Sequence, residues 1–431
     1  MSTTTDTFPT LFALNGSDYF QVILDRHHRK YSKMGNVCRL GIFVDGVIDA
    51  EKWEKKVTQD SILQWMSGLR LRKVLPFQLP AWKSKGVQTP IWQVHTTDIG
   101  HDLPLDLYYR DINPYKNCPI RFDLVVGKDN KSTLLITWSH VLMDSHGAEL
   151  LLQYLHNGQA AFPLQLLPKT EEELPIKEQI QKAKEVKNFL LDGNQTLLDN
   201  LQEQPRTIKG SQYRIIRFSE EETEQIAAYS KELKIRLGQS PLLLGASIRG
   251  FDYLMQKRGV QCKSFWVPIP QDQRRKGANG PLIGNQVSYL FYRLFPKDVN
   301  SLADIVSEIN RQMMDQMRQR IPASYNTMMH LSRRLPYWLF EWITKRPTKG
   351  KLSSFFFSDT GTLLSGMETF EGMPFKDVIH YPPNPSIPGI TVVFSIFQKK
   401  LQAIVAFAPG SVSEDDLENL KAFLRKELIK G

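Results

Sequence analysis

ITWSHVLMDSHGAEL, residues 136–150, is the stretch whose reading decides the fold. Its first half closes the apolar run KSTLLITWSH (131–140), rich in the β-branched and aromatic residues that favour strands. Its second half opens GAELLLQYLHNGQ (147–159), where Leu150, Leu151, Tyr154 and Leu155 recur at helical spacing. A strand therefore ends near Trp138, a helix begins near Gly147, and a short polar turn between them carries His140, Asp144 and His146. An imidazole titrates at ~6.5, so at neutral pH it can take a proton and return it. Side chains at a strand end also project into clefts. Asp144 can shape the turn by accepting backbone N–H groups or by pairing with a distant arginine. Gly147 lets the turn pack closely before the helix starts.

Read from residues alone, this turn is open to three arrangements. It can be a helix-capping turn and nothing more. It can be a metal site built from His140, Asp144 and His146, borderline ligands that suit zinc or iron, although no HExxH or HxH companion occurs. Or His140 can be a general base, acting on a nucleophile brought by the substrate, because no GxSxG elbow accompanies it.

Outward from this turn, strands and helices alternate in two halves. VCRLGIFVDG (37–46) and PIRFDLVVGK (119–128) read as strands, the latter joined to 131–140 through a Lys-Asp-Asn turn. A helix is expected from Asp49 through Trp53 and Val57. From Pro168 to Gln204 the composition turns charged and weakly amphipathic, as in a connecting helix. The pattern then restarts. SQYRIIRFS (211–219) is a strand, and Ser219 with Glu222 forms a capping box. QSPLLLGASIRGFDYLMQK (239–257) is a buried helix, and strands follow at 263–270, 286–295, 353–359, 389–397 and 401–409. Ser413 caps a last helix. The fold class is α/β with mixed sheets: a domain over 1–167, a linker over 168–210 and a second domain over 211–431.

Composition narrows the functional classes. The chain has 431 residues, 41% hydrophobic and 23% charged, enough for two ordinary globular cores. Its three scattered cysteines, Cys38, Cys118 and Cys262, exclude a disulfide framework and a thiolate zinc site and suit a reducing compartment. No apolar run reaches the ~18 residues of a membrane span, and the N-terminus lacks the order of a signal peptide. A cytoplasmic protein is therefore expected. The net charge of +10 suits an acidic partner such as a membrane surface, a phosphorylated cofactor or an acidic carrier protein. The basic residues are dispersed and no recognition motif accompanies them, which argues against nucleic acid.

Two further spots bear on function. In VPIPQDQRRKGANGPLIGNQVSYLFYRLF (267–295), Gly284-Asn285 opens a strand after a basic, glycine-rich loop. In SSFFFSDTGTLLSG (353–366), an aromatic strand is expected to break into the turn Ser358-Asp359-Thr360-Gly361. Taken with Ser139-His140-Val-Leu-Met-Asp144-Ser-His-Gly147, these resemble a known set. The His turn is similar to the HHxxxDG signature of the chloramphenicol acetyltransferase-like superfamily, which includes condensation domains, BAHD acyltransferases and the wax ester synthase/diacylglycerol acyltransferase family. The Gly-Asn pair and the Ser-Asp-x-Gly turn resemble later motifs of that group, and the LRLR run around Arg70 and Arg72 resembles its early Leu-Arg element. This chain has Ser139 for the first His, Gly147 three residues after Asp144, and Asp359 for an Asn.

The resemblance implies two similar domains forming a pseudo-dimer, with an active-site tunnel between them and His140 as general base. It implies an acyltransferase that takes an acyl thioester, acyl-CoA or a phosphopantetheinyl acyl carrier, and passes the acyl group to a hydroxyl or amine acceptor. No metal and no resident cofactor is required. Asp144 is then structural, pairing with Arg70, Arg72, Arg274 or Arg275, while Asn285 or the turn at Ser358 assists the oxyanion. The rivals are a free-standing condensation enzyme joining carrier-bound substrates and a non-catalytic carrier-binding protein. Asp25–Lys30 and Arg274–Lys276 are candidate docking patches for an acidic donor. LSRRLPYWLFEWITKRPTKGK (331–351) reads either as a buried helix or as an interfacial one making peripheral membrane contact. His146, beside Gly147, is expected to face away from the site.

Overall fold

The computed structural model describes residues 8–72, 78–168, 174–193, 210–235, 238–298, 300–345, 352–384 and 388–429. Ser132–Ser139 and Val37–Val44 are strands in which every residue is buried. Near-continuous apolar runs of this kind need cover on both faces. These two strands lie at the centre of a six-stranded sheet, ordered Thr369–Phe370, Met373–Tyr381, Val37–Val44, Ser132–Ser139, Ile120–Gly127, Ile91–Thr97. All neighbours are antiparallel except the last pair, which is parallel. Asn130 closes the hairpin between 127 and 132 at φ 58°, a conformation asparagine tolerates.

A four-stranded sheet lies in the second half, ordered Phe356–Thr362, Ile390–Phe397, Lys400–Phe407, Gln212–Arg217, beside a two-stranded ribbon of Phe265–Asp272 and Val287–Leu294. The strand at 353–359 was expected to break at Ser358. Instead Phe356–Thr362 continues through Ser358-Asp359-Thr360-Gly361 with a register shift between Asp359 and Thr362. Gly361, at φ 70°, supplies the backbone freedom that such an irregularity needs. The strand Met373–Tyr381 was unmarked in the sequence. It crosses back to pair with Val37–Val44, so the C-terminal segment completes the first sheet.

The apolar core follows the same crossover. One cluster fills the first sheet and continues into Trp266, Leu282, Phe291, Tyr325 and Phe340 of the second half. A second packs the four-stranded sheet against the helix Ser240–Lys257. Phe43, Val125, Leu135 and Ile379 of the first sheet meet Ile404 of the second in a third. The connecting stretch holds the helix Ile176–Gly193, which packs on Ile321–Ser332.

The run Asp25–Lys30 is only partly a surface, with Arg26 and Lys30 exposed. It lies on the helix Gly16–Tyr31 with Asp25, His27 and His28 buried, and Arg29 pairs with Asp25 and Asp111 at 2.8 and 2.6 Å. Apolar neighbours Val22, Ile23 and Leu24 draw this face of the helix into the core. Among the described residues, no helix is long and apolar enough to cross a membrane. The three cysteines are free and buried.

Candidate active site

His140 follows the last residue of the central strand, and its backbone is held at both ends. Its N–H donates to the Asn36 carbonyl at 2.9 Å, and its carbonyl accepts from Asn285 Nδ2 at 2.9 Å. Asn36 is itself fixed, its N–H donating to Asp25 Oδ1 and its Nδ2 to Gln21 Oε1, each at 2.9 Å. Burial pulls the imidazole below its usual value, partly offset by its own carbonyl, Asp144, Asn285 and Met143. Nδ1 is nonetheless buried without a hydrogen bond of normal geometry. The ring is therefore neutral at pH 7, the form that can accept a proton.

Asp144 caps the helix Ser145–Asn157 by accepting from the Gly147 N–H at 2.9 Å. Its other oxygen accepts from Arg274 Nη1 at 2.9 Å and from the Gln286 N–H at 2.8 Å. Burial would raise the carboxyl, but Arg274 and these N–H donors hold it below the usual carboxylate range. Of the four arginines considered for Asp144, the structure selects Arg274, whose side chain is 2% exposed and also donates to the Pro281 carbonyl. Arg274 is thus an internal cation and cannot serve a docking patch. Arg70 plays no part in the site. Its guanidinium donates to the carbonyls of Ser67, Leu69 and Lys116 and to Gln88 Oε1, tying the short edge strand Leu69–Leu71 to its surroundings.

Residues 284–286 run alongside the His turn and fasten the two halves together. The Gly284 N–H donates to the Leu142 carbonyl at 2.8 Å, Asn285 holds His140, and Gln286 holds Asp144. Gly284 sits at φ 93°, where a side chain would be strained. Gly147 is required for a different reason, because a Cβ there would lie 2.8 Å from the Leu282 carbonyl. Asn285 has no hydrogen left for an oxyanion: Nδ2 serves both Asp18 Oδ1 and the His140 carbonyl, and its N–H donates to Asp18 Oδ1 at 2.6 Å. Its place is under the histidine.

Asp18 was missed in the sequence. It completes a capping box with Asn15 at the start of Gly16–Tyr31, and Asn15 Nδ2 donates to the Asn285 carbonyl at 3.1 Å. Burial pushes Asp18 up to about 6 against its three N–H donors. The pattern Asn-x-x-Asp signals a helix start, but nothing local links it to a residue 267 positions away.

His140 and Asp144 line a solvent-open cavity walled by both halves of the chain. Ser358 also lines it, on the strand opposite. So does His146, which was expected to face away; it is exposed on the first turn of its helix yet borders the same space. Three further wall residues had not been read as part of the site. His28 is buried and pushed down to about 3, chiefly by burial. His380 and Glu149 form a buried pair at 3.1 Å, with the Leu364 N–H on the other Glu149 oxygen. Among the described residues, no group of three His, Cys, Asp or Glu side chains could hold a metal ion.

No protein-family model and no curated protein matches the chain. Solved structures do. Trichothecene 15-O-acetyltransferase from Fusarium sporotrichioides aligns over 96% of this chain and 95% of its own, at 11% identity and a TM-score of 0.71. The first condensation domain of the calcium-dependent antibiotic synthetase, in complex with a substrate analogue, aligns over 97% and 96%, at 12% identity and a TM-score of 0.67. Polyketide synthase associated protein 5 from Mycobacterium tuberculosis aligns over 98% and 100%, at 14% identity and a TM-score of 0.64. The chain shares the overall fold of these acetyltransferase and condensation-domain structures.

Proposed function

We propose that this protein is an acyltransferase in which His140 is the general base. The observation that carries the reading is a half-buried imidazole, clamped through its backbone on both sides, in the wall of a cavity that both halves build. The hydroxyl or amine of the acceptor gives its proton to His140 as its oxygen or nitrogen attacks the thioester carbonyl. A tetrahedral intermediate forms, the C–S bond breaks, and the imidazolium returns the proton to the departing thiolate. Ester or amide and free thiol result, with no net proton change.

A positioned base contributes ~10²–10⁴-fold, and holding both substrates in line in one cavity adds to it. Asp144 and Arg274 fix the turn and take no proton. Ser358, across the cavity, is the donor we assign to the developing oxyanion. The thioester is acyl-CoA or a phosphopantetheinyl acyl carrier, both acidic, which suits the net charge of +10. No resident cofactor enters the scheme.

The test is incubation of the protein with a panel of acyl-CoA thioesters and cell extract, followed by mass spectrometry. A new ester or amide together with free CoA is expected. Turnover of carrier thioesters alone, giving an amide, selects the condensation reading instead. Failure of every thioester to turn over, with or without a carrier, overturns the proposal.

A further inference from the structure

The helix Tyr337–Lys345 has two unlike faces. Phe340 is buried and packs its ring edge-on to Tyr19 at 5.7 Å between centroids. Tyr337 also meets Tyr19, and the Tyr19 hydroxyl donates to the Leu335 carbonyl at 2.7 Å. The opposite face carries Trp338 and Trp342, four residues apart and therefore side by side. They are 68% and 54% exposed, the only tryptophans among the exposed large hydrophobic side chains of the described residues. A buried role therefore fits only half of the helix.

Tryptophan has a large apolar body and one polar N–H, which suits the boundary between water and lipid. The surroundings are cationic. Arg26 of the neighbouring helix Gly16–Tyr31 is exposed and lies 3.4 Å above the Tyr337 ring, and Lys30, one turn further along, is exposed too. Glu341 is the single acidic residue of the Trp-bearing helix and interacts with Lys30. Two exposed tryptophans flanked by exposed cations, on a chain of net charge +10, match an anionic lipid surface in both apolarity and sign.

We infer that Trp338 and Trp342 dock the protein on an anionic membrane surface, with Arg26 and Lys30 as the electrostatic flank. The placement serves the cavity directly. Gly16–Tyr31 turns Gln21, Leu24 and His28 toward the cavity, while its Tyr19 and Arg26 support the docking helix. One helix thus separates the lipid-facing tryptophans from the site. This inference stands apart from the acyl-transfer reading, because binding is read without any substrate.

The experiment is flotation of the purified full chain with vesicles of phosphatidylcholine alone and of phosphatidylcholine with phosphatidylglycerol. The protein is expected to float with the anionic vesicles, less at high salt. The double variant W338A/W342A should lose at least about tenfold in partitioning with an unchanged melting temperature. Lys30→Gln, which leaves both tryptophans in place, should weaken binding to anionic vesicles by about fivefold, the effect of one surface charge. Wild-type protein that stays in solution with anionic vesicles overturns the inference, as does a double variant that floats equally well. A wild-type dimer that the double variant converts to monomer would show that the face pairs two copies of the chain, and would overturn it too.

Discussion

Asp144→Asn removes the negative charge from an ion pair sealed between the two halves. Asparagine is an equally good helix N-cap, so the Gly147 bond is kept and the cap is not what is lost. The loss falls on the other oxygen, which faces Arg274 Nη1 and the Gln286 N–H. An amide NH₂ placed there opposes two donors. The pair's side chains are 8% and 2% exposed, so solvent cannot replace the missing charge. Breaking a buried pair by removing one partner typically costs ~3–5 kcal/mol. Taking ~2–4 °C per kcal/mol, a drop in melting temperature of at least about 6 °C is expected.

Arg274→Met should destabilise comparably, and the double variant less than the sum, because no charge is then left buried without its partner. The assay is thermal and denaturant unfolding of the four proteins at neutral pH. The sign with pH is fixed as well. The Asp144 carboxyl is held below its ordinary value, so the pair's contribution is present above the unfolded carboxylate range and lost as pH falls through the lower folded value. If Asp144→Asn melts like wild type while the pH dependence of turnover shifts, Asp144 takes part in the chemistry and the structural role is wrong.

Asp18 titrates in the opposite sense. Its carboxyl rises from 3.8 to about 6 in the fold. Stability is therefore greater at low pH and declines by about 3 kcal/mol as pH climbs through that window. Asp18→Asn should lack this decline, so the wild-type-minus-variant difference in denaturant midpoints should fall as pH climbs; equal slopes in the two proteins would refute it. Activity should survive exhaustive chelation, and His146→Ala should cost far less than His140→Ala; loss on chelation with recovery on adding zinc would contradict the scheme.

The elements that were legible in the sequence are those whose signals are local. The run 131–140 is apolar and β-rich, Ser219 and Ser413 stand three residues before acidic partners, and the His turn is bracketed by a strand and a helix. What stayed hidden depends on residues far apart. Met373–Tyr381 has no clean alternation of its own, and it is a strand because Val37–Val44 offers it an edge. Arg70 reads as a site residue in LRLR, yet carbonyls around its own edge strand occupy its guanidinium. Asp25–Lys30 looks like a continuous charged surface, yet Asp25, His27 and His28 are buried and Asp111, more than eighty residues on, takes up Arg29, which leaves Arg26 and Lys30 exposed. The choice of Arg274 for Asp144 and the grip of Asp18 on Asn285 are facts of the interface between halves. No spacing rule contains them.

The central claim is that the His140 imidazole moves the proton in acyl transfer. It is tested most directly by comparing single-turnover thiol release from a productive acyl thioester by wild-type protein and by His140→Ala with an unchanged melting curve. The account predicts a fall of at least about 10²-fold in the chemical step. A well-folded His140→Ala protein that keeps its turnover would contradict it.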